Sequence, residues 1–244
     1  MQGRRAAVAA ASGGLGFASA KSLADEGVRV AICGRDRGRI EDAAARIGGG
    51  CIGLVHDVGD AAGGASFVVA AAEALGGVDI VVANGGGPPA GTFASTPVEL
   101  YPSGIDMSLM SVVGMAKQAI PAMQSAGWGR FVAITSLSVR QPIGNIILSN
   151  TARAGVTGFL KTVAREVAKD GVTVNSVQPG LHATNRLLSL YDGDTADLAA
   201  TIPAGTVGDP ADFGSVVAFL CSEQARFVTG VQLHVDGGAY GGLQ

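Results

Sequence analysis

The sequence predicts a doubly wound α/β fold, a single domain with about seven parallel strands flanked by helices, and three observations carry that prediction. Short, wholly apolar runs alternate with segments of helical period from one end of the chain to the other. The runs lack the polar alternation of a sheet with one wet face, so they fit strands covered on both sides. Several end in glycine-rich turns, Gly13-Gly14-Leu15-Gly16, Asn84-Gly85-Gly86-Gly87 and Pro179-Gly180, at the edge where such sheets meet their ligands. At 244 residues the chain suffices for one large α/β domain, and no repeat or low-complexity linker divides residues 1–244.

The first strand is Ala6 to Ala11, apolar throughout and hence central. Gly13, Gly14 and Gly16 turn the chain into a helix carrying Phe17 to Glu26. With no side chains in the way, a pyrophosphate can reach the first N–H groups of that helix, although a plain tight turn explains three glycines equally well. Gly27 closes the helix and Val28 to Cys33 is the second strand. Asp36 caps a helix over about 37 to 47, with Ile40, Ala43, Ala44 and Ile47 inward. Gly48 to Gly50 stop it, Cys51 to Val55 is the third strand, Asp60 caps a helix through Phe67 to Leu75, and Val78 to Ala83 is the fourth strand.

Thr96-Pro97-Val98-Glu99 then reads as a helix start, with Thr96 as cap, Pro97 in the first position and Glu99 closing a capping box. Pro102 and Gly104 are expected to break or kink that helix, and a long one resumes near Asp106 and reaches Met123. Phe131 to Thr135 is the fifth strand. A helix over about 150 to 169 turns Val156, Phe159, Leu160, Val163 and Val167 inward, and Thr173 to Gln178 is the sixth strand. Residues 181–208 hold several breakers and a weak helical pattern, as expected of a flap on the substrate side. Asp209-Pro210 caps a last helix to Leu220, and Val231 to Val235 is the seventh strand.

Composition bounds the function. Hydrophobic residues make up 48% and charged residues 15%, and such a lightly charged surface predicts a homo-oligomer. A net charge of −3 offers no footprint for nucleic acid or an anionic membrane. Cys33, Cys51 and Cys221 are widely spaced without a Cys-x-x-Cys, which argues against a disulfide framework or zinc site and fits a reducing cytoplasm. His56, His182 and His234 stand far apart, so no metal is predicted. The apolar run near the N-terminus falls short of the roughly 7 to 15 residues a secretory signal needs. Glu73 and Asp79 interrupt the longest apolar region, so no membrane span is expected.

The ordered motifs are the turn from Ala10 to Gly16, Asp57-Val58 after the third strand, Asn84-Gly85-Gly86 after the fourth and Ser136 after the fifth. Arg153-Ala154-Gly155, Asn175 to Gly180 with Thr184, Thr229-Gly230 and Val235-Asp236-Gly237-Gly238 follow. Together they resemble the short-chain dehydrogenase/reductase family over essentially the whole chain, most closely the branch containing the 3-oxoacyl-acyl-carrier-protein reductases. The resemblance implies a Rossmann fold with NADP or NAD across the carboxyl edge of the sheet. It places Ser12, Gly14, Leu15 and Gly16 at the cofactor, Asp57 and Val58 at the adenine, and Asn84, Gly85 and Gly86 beside the ribose. Pro179 and Gly180 join them, with Thr184 near the nicotinamide amide. A helix cap for Asp57 and a loop hydroxyl for Thr184 remain the alternatives for each taken singly. The family also implies a homotetramer through the helices at about 106 to 123 and 150 to 169.

The catalytic positions depart from the family. It carries a Ser at the end of the fifth strand, a Tyr and then a Lys in the following helix, and an Asn on the preceding one. Here Ser136 is present, the Tyr position is Ser149, the Lys position is Arg153, and the Asn position, anchored on Pro121 and Met123, falls on Ser108. The first glycine of the turn is Ala10. The family protonates the alkoxide with a phenol whose pKa an adjacent ammonium lowers. Ser149 has no such acidity, and Arg153 stays charged, though its fork can hold ribose hydroxyls. The expectation is hydride transfer to or from a small-molecule carbonyl or alcohol, possible on a 3-oxoacyl substrate, at an atypical centre. Ser136 polarises the carbonyl, Arg153 fixes the ribose, and Ser149 and Ser108 shape the pocket or order water. The alternative is an inactive nucleotide-binding sensor or scaffold.

His182 is the first candidate to replace the phenol, since histidine titrates near neutrality; a merely solvated loop histidine is the plainer reading, and Tyr191 is a weaker candidate. Gly34-Arg35 favours NADP, because a guanidinium suits a 2′-phosphate where an acid would select NAD; Asp36 and Gly13 weigh against it. Arg130 fits the basic surface that branch uses for docking acyl carrier protein, while Lys169-Asp170 sets an acid nearby. Leu187 and Leu188, within 186–190, would accept an apolar acyl chain, and the packing face of a flap explains them equally well.

Overall fold

Seven parallel strands pair in the order β3-β2-β1-β4-β5-β6-β7 in the computed structural model, which describes residues 1 to 190 and 196 to 243. The strands are β1 Arg5–Val8, β2 Arg29–Gly34, β3 Ile52–Val55, β4 Ile80–Ala83, β5 Gly129–Ile134, β6 Val172–Pro179 and β7 Gln232–Val235. The helices are α1 Gly14–Asp25, α2 Arg37–Ile47, α3 Ala61–Leu75, α4 Leu100–Ile105, α5 Ser111–Ser125, α6 Ile147–Val167, α7 Asn185–Leu190, α8 Ala196–Ala200 and α9 Pro210–Cys221. The strand order reverses beside β1, whose neighbours are β2 and β4. A crevice opens at the carboxyl ends of the strands at such a point. Tyr191 lies outside the described residues.

The helices form two layers on the sheet. Leu23 of α1, Ile40 of α2 and Phe213 of α9 bury one face, while Phe67 of α3, Met115 of α5 and Leu160 of α6 bury the other. Local chemistry sets several helix starts as expected. Asp36 accepts the N–H of Arg39 at 2.8 Å, Asp60 that of Gly63 at 2.7 Å, and Asp209 that of Ala211 at 2.8 Å. The glycine content has a packing reason where α3 meets α5: a Cβ at Gly64 would lie 2.4 Å from the Ser111 carbonyl, and one at Gly114 2.0 Å from that of Ala61. Among the described residues no helix is long and apolar enough to cross a membrane.

Three expectations need correction. The helix does not begin at Pro97 under a Thr96 cap: residues 98 and 99 form a turn closed by the N–H of Leu100 on the Pro97 carbonyl, and α4 starts at Leu100. Pro102 does not break it, because it sits in the first turn, where a missing N–H costs no bond. Gly104 does not break it either, and α4 runs through a π-helical turn, Asp106–Met110, into α5. Arg130 is not a docking residue. It lies at the amino end of β5, only 1% exposed, and donates to the carbonyls of Gly129, Gly171 and Ser222. Its guanidinium sits 4.2 Å from the Trp128 ring centroid and 3.7 Å from Glu223, a packed cluster on the edge of the sheet away from the crevice.

Candidate functional site

The glycine turn leaves β1 through Ala10, the one non-glycine among the described residues with a left-handed backbone, at φ 47°. This departure ends β1 at Val8, short of the predicted Ala11. A methyl group there costs about 1 kcal/mol relative to glycine. Ala10→Gly is expected to raise stability by about that amount and Tm by about 2 to 4 °C, measured by calorimetric melting. Asn84, at the end of β4, secures the turn: its Nδ2 donates to the carbonyls of Ala9 at 3.3 Å and Ala10 at 3.2 Å. A Cβ at Gly16 would lie 2.7 Å from that nitrogen and 2.9 Å from the Ala10 oxygen, so only glycine fits.

Whereas α2, α3 and α9 have aspartate caps, the N-cap of α1 is Gly13, with no side-chain cap. The N–H groups of its first turn, around Gly14, Leu15 and Gly16, are left to a ligand with acceptor oxygens. A Cβ at Gly13 would have open space on every side, and one at Gly14 would meet the Thr184 side chain at 3.6 Å, so the loop after β6 stands over the turn. This cradle fits a dinucleotide pyrophosphate.

The remaining strand ends converge on the same edge. Ser12 packs over Gly34, where an added Cβ would touch it at 3.4 Å. Arg35 is exposed and makes no ion pair within the described residues, while a carboxylate oxygen of Asp36 is committed to the α2 cap. Asp57 Oδ1 accepts the N–H of Gly59 at 3.0 Å and Val58 is buried. Asp57, Gly63, Ser103 and Met107 border an open cavity of about 610 Å³. Gly85 backs onto the Met107 carbonyl, and Gly86 has open space around it. Pro179 ends β6, and Gly180 lies so close to Asp236 that a Cβ would sit 2.8 Å from its Cα.

Ser136 follows β5 and accepts the N–H of Ser138 at 3.1 Å, which leaves its hydroxyl hydrogen for a ligand. Arg153 Nη1 donates to the Ile134 carbonyl at 2.9 Å, pinning the guanidinium near the same strand end. Ser149 is buried one turn earlier in α6. Ser108 lies in the π-helical turn, 4% exposed, and its Oγ has no hydrogen-bond partner among the described residues. That turn packs on α6, with Leu109 over Gly155. Two features were invisible in the sequence: the π turn, which no local signal marks, and buried Ser138, whose spacing carries no motif. Leu187 packs inward and Leu188 is exposed.

His182 is not solvated. It is 6% exposed, edge-on to Phe213 at 5.2 Å between ring centroids, with Nδ1 3.2 Å from the Gly180 carbonyl and Gly208 packed against the ring. Burial lowers its pKa from 6.5, with the Gly180 bond and nearby aspartates opposing more weakly. The cavity it lines, about 140 Å³, includes Asp209, Asp212 and Asp236 but none of Ser108, Ser136, Ser149 or Arg153. A histidine held neutral by folding supports the fold fully above its unfolded pKa and loses that support as pH falls through the folded one. Acid lability should therefore set in below about pH 6.5, and His182→Ala should make that limb shallower while costing about 2 kcal/mol of stability, measured by urea melts across pH.

A family model described as "Enoyl-(Acyl carrier protein) reductase" matches residues 9–240. The chain is 34% identical over 242 residues to the 3-oxoacyl-[acyl-carrier-protein] reductase FabG of Vibrio cholerae, covering 98% of both chains. Among solved structures, YwfH, an NADPH dependent reductase involved in bacilysin biosynthesis, superposes with a TM-score of 0.93 at 26% identity, over 98% of this chain and 99% of that one. An NADPH-bound short chain oxidoreductase from Pseudomonas aeruginosa, described as containing an atypical catalytic center, superposes with a TM-score of 0.90 at 29% identity over 98% of each.

Proposed function

Because this chain belongs to the short-chain dehydrogenase/reductase family, we propose that it transfers hydride between NADP(H) and a neutral small-molecule carbonyl or alcohol. The observation that carries this reading is the uncapped α1 turn sharing one sheet edge with Ser136 and Arg153. When bound, the nicotinamide supplies or accepts the hydride. The first-turn N–H groups of α1 and Ser12 hold the pyrophosphate, and Arg35 holds the 2′-phosphate. Asp57 and Val58 border the adenine, Asn84 to Gly86 the ribose, and Pro179, Gly180 and Thr184 the nicotinamide end. Arg153 orients the ribose. Ser136 donates to the carbonyl oxygen, and Ser108 and Ser149, hydroxyls in place of the family's Asn and Tyr, hold water there. His182, packed against Phe213, serves the fold, so a bound water delivers the proton.

NADP is preferred over NAD because Arg35 is exposed and makes no ion pair among the described residues. Arg35→Ala should weaken NADPH about 10- to 100-fold and leave NADH unchanged, read by titration of each.

The loops around the crevice support a neutral substrate. Gly91 N–H donates to the Asn145 carbonyl at 2.7 Å and Ile147 N–H to that of Gly91 at 3.1 Å, which joins the loop after β4 to the one before α6. Neither Asn84 to Val98 nor Gln141 to Ala152 contains a charged residue, while Phe93 and Ile143 are exposed. Such a rim suits an apolar carbonyl better than a phosphorylated carrier arm, and with Arg130 buried an acyl-carrier partner keeps little support. A homotetramer through α5 and α6, in the cytoplasm, completes the reading, and light scattering tests the assembly. The test of activity is NADPH oxidation with a panel of ketones of rising apolar length. Turnover that grows with chain length supports the proposal. Cofactor binding with no turnover on any ketone would favour the rival, a nucleotide sensor or scaffold, which the serine and arginine at 149 and 153 also suit.

A further inference from the structure

The carboxyl ends of β6 and β7 carry a buried polar layer with no part in the roles above. Ser176 pairs with Gln232 and Gln178 with His234, and residues two apart on a strand share a face, so all four side chains line one surface. Arg140, at the end of the short turn after Ser136, donates Nε to Gln232 Oε1 at 3.1 Å, and Gln178 Nε2 donates to the same oxygen at 3.4 Å. The end of the chain closes over the layer. Tyr240 stacks on His234 with centroids 4.5 Å apart and planes 9° apart, and Gly241 N–H reaches Gln141 Oε1 at 3.4 Å. Ser138 Oγ, Ser176 Oγ, Gln178 Oε1 and both ring nitrogens of His234 are buried without a hydrogen-bond partner among the described residues, and the His234 side chain is only 2% exposed. Buried polar groups are seldom left so, and ordered water is the usual partner. The turn after Ser136 joins the layer to the reacting centre: its Arg140 donates to Gln232, and its Ser138 N–H donates to Ser136 Oγ.

We propose that this layer holds ordered water and forms the route by which protons reach Ser136, with His234 as its outer positioning residue. The second half rests on the oxidoreductase reading. Reduction of a carbonyl leaves an alkoxide, and its new O–H bond takes a proton from water held at Ser136. That water recovers one from the next hydroxyl or water of the layer. At His234 one ring nitrogen releases a proton as the other takes one from a water of the layer that exchanges with solvent, so the imidazole ends neutral. The groups facing the ring are the Asp236 carboxylate, 3.7 Å from Nδ1, the Arg140 guanidinium, which opposes protonation, and the Tyr240 ring.

A high-resolution crystal structure of the unliganded protein tests the first half. Waters within hydrogen-bond distance of Ser138 Oγ, Gln178 Oε1 and the His234 ring are expected, and a dry layer would overturn the proposal whether or not the protein turns over. For the second half, His234→Phe keeps a ring on Tyr240 and removes both nitrogens, and Gln178→Leu interrupts the layer without touching the stack. Each should lower kcat about tenfold or more and leave the NADPH Kd unchanged. His234→Phe should also remove any step in the kcat profile below pH 6.5. Wild-type kcat and pH profile in both variants would overturn the proton route. Absence of turnover by the unaltered protein would sink the oxidoreductase reading and the route with it, leaving the water question to the crystal structure.

Discussion

Ser149→Tyr combined with Arg153→Lys is expected to raise kcat for ketone reduction by about 100- to 10,000-fold, the range a positioned general acid supplies. Either change alone should do little. A tyrosine beside a retained arginine can be polarised, but the arginine cannot release and regain protons as an amine does; a lysine without the phenol has nothing to activate. The two act as a unit, so the gain should be strongly non-additive. Both positions lie on α6, one turn apart, with Arg153 pinned to the Ile134 carbonyl near Ser136. Steady-state rates of the two single variants and the double variant on one ketone measure this. A double variant that binds cofactor yet gains nothing would show that α6 does not present these positions to the reacting carbonyl.

Gly16→Val should abolish dinucleotide binding, raising the NADPH Kd by more than about 100-fold, and cost about 1 to 3 kcal/mol of stability through overpacking. Its Cβ would meet Asn84 Nδ2 and the Ala10 carbonyl at distances no side chain tolerates, so Asn84 must release the turn it ties to β4. Gly13→Ala is the contrasting change. Gly13 has an extended backbone that any residue adopts, and open space around it, so the variant should melt with the unaltered protein. Thermal melts and cofactor titrations of the two variants separate a turn that needs its glycine from a glycine that merely lies in a turn.

Much of the architecture was legible because it depends on local chemistry. Asp36, Asp60 and Asp209 each precede a helix and accept one of its free first-turn N–H groups, and the apolar runs have one reading in a sheet covered on both faces. The same reasoning failed at Thr96. Its pattern was that of a capping box, but the chain is held instead by the backbone pairing of Gly91 with Asn145 and Ile147 at the start of α6, a contact made across the fold. At the site, the strand ends and glycine turns were legible and the side-chain environments were not. His182 sits in a segment with every mark of a loop, yet Phe213 and Gly208 enclose it. Arg130 reads as surface charge in the sequence, whereas Trp128 and Glu223 pack around it in the fold. The polar layer on β6 and β7 depends on the register of one strand against the other, which periodicity cannot supply.

Calorimetric titration of the purified protein with NAD, NADH, NADP and NADPH tests the central claim most directly, since every role assigned to Ser136, Ser149 and Arg153 presumes an occupied dinucleotide site. The account predicts saturable, one-to-one binding with NADPH tightest, in the micromolar range or below. Binding of none of the four would contradict it, showing that Ala10 and Arg153 leave no room for the cofactor and that the chain is not an oxidoreductase.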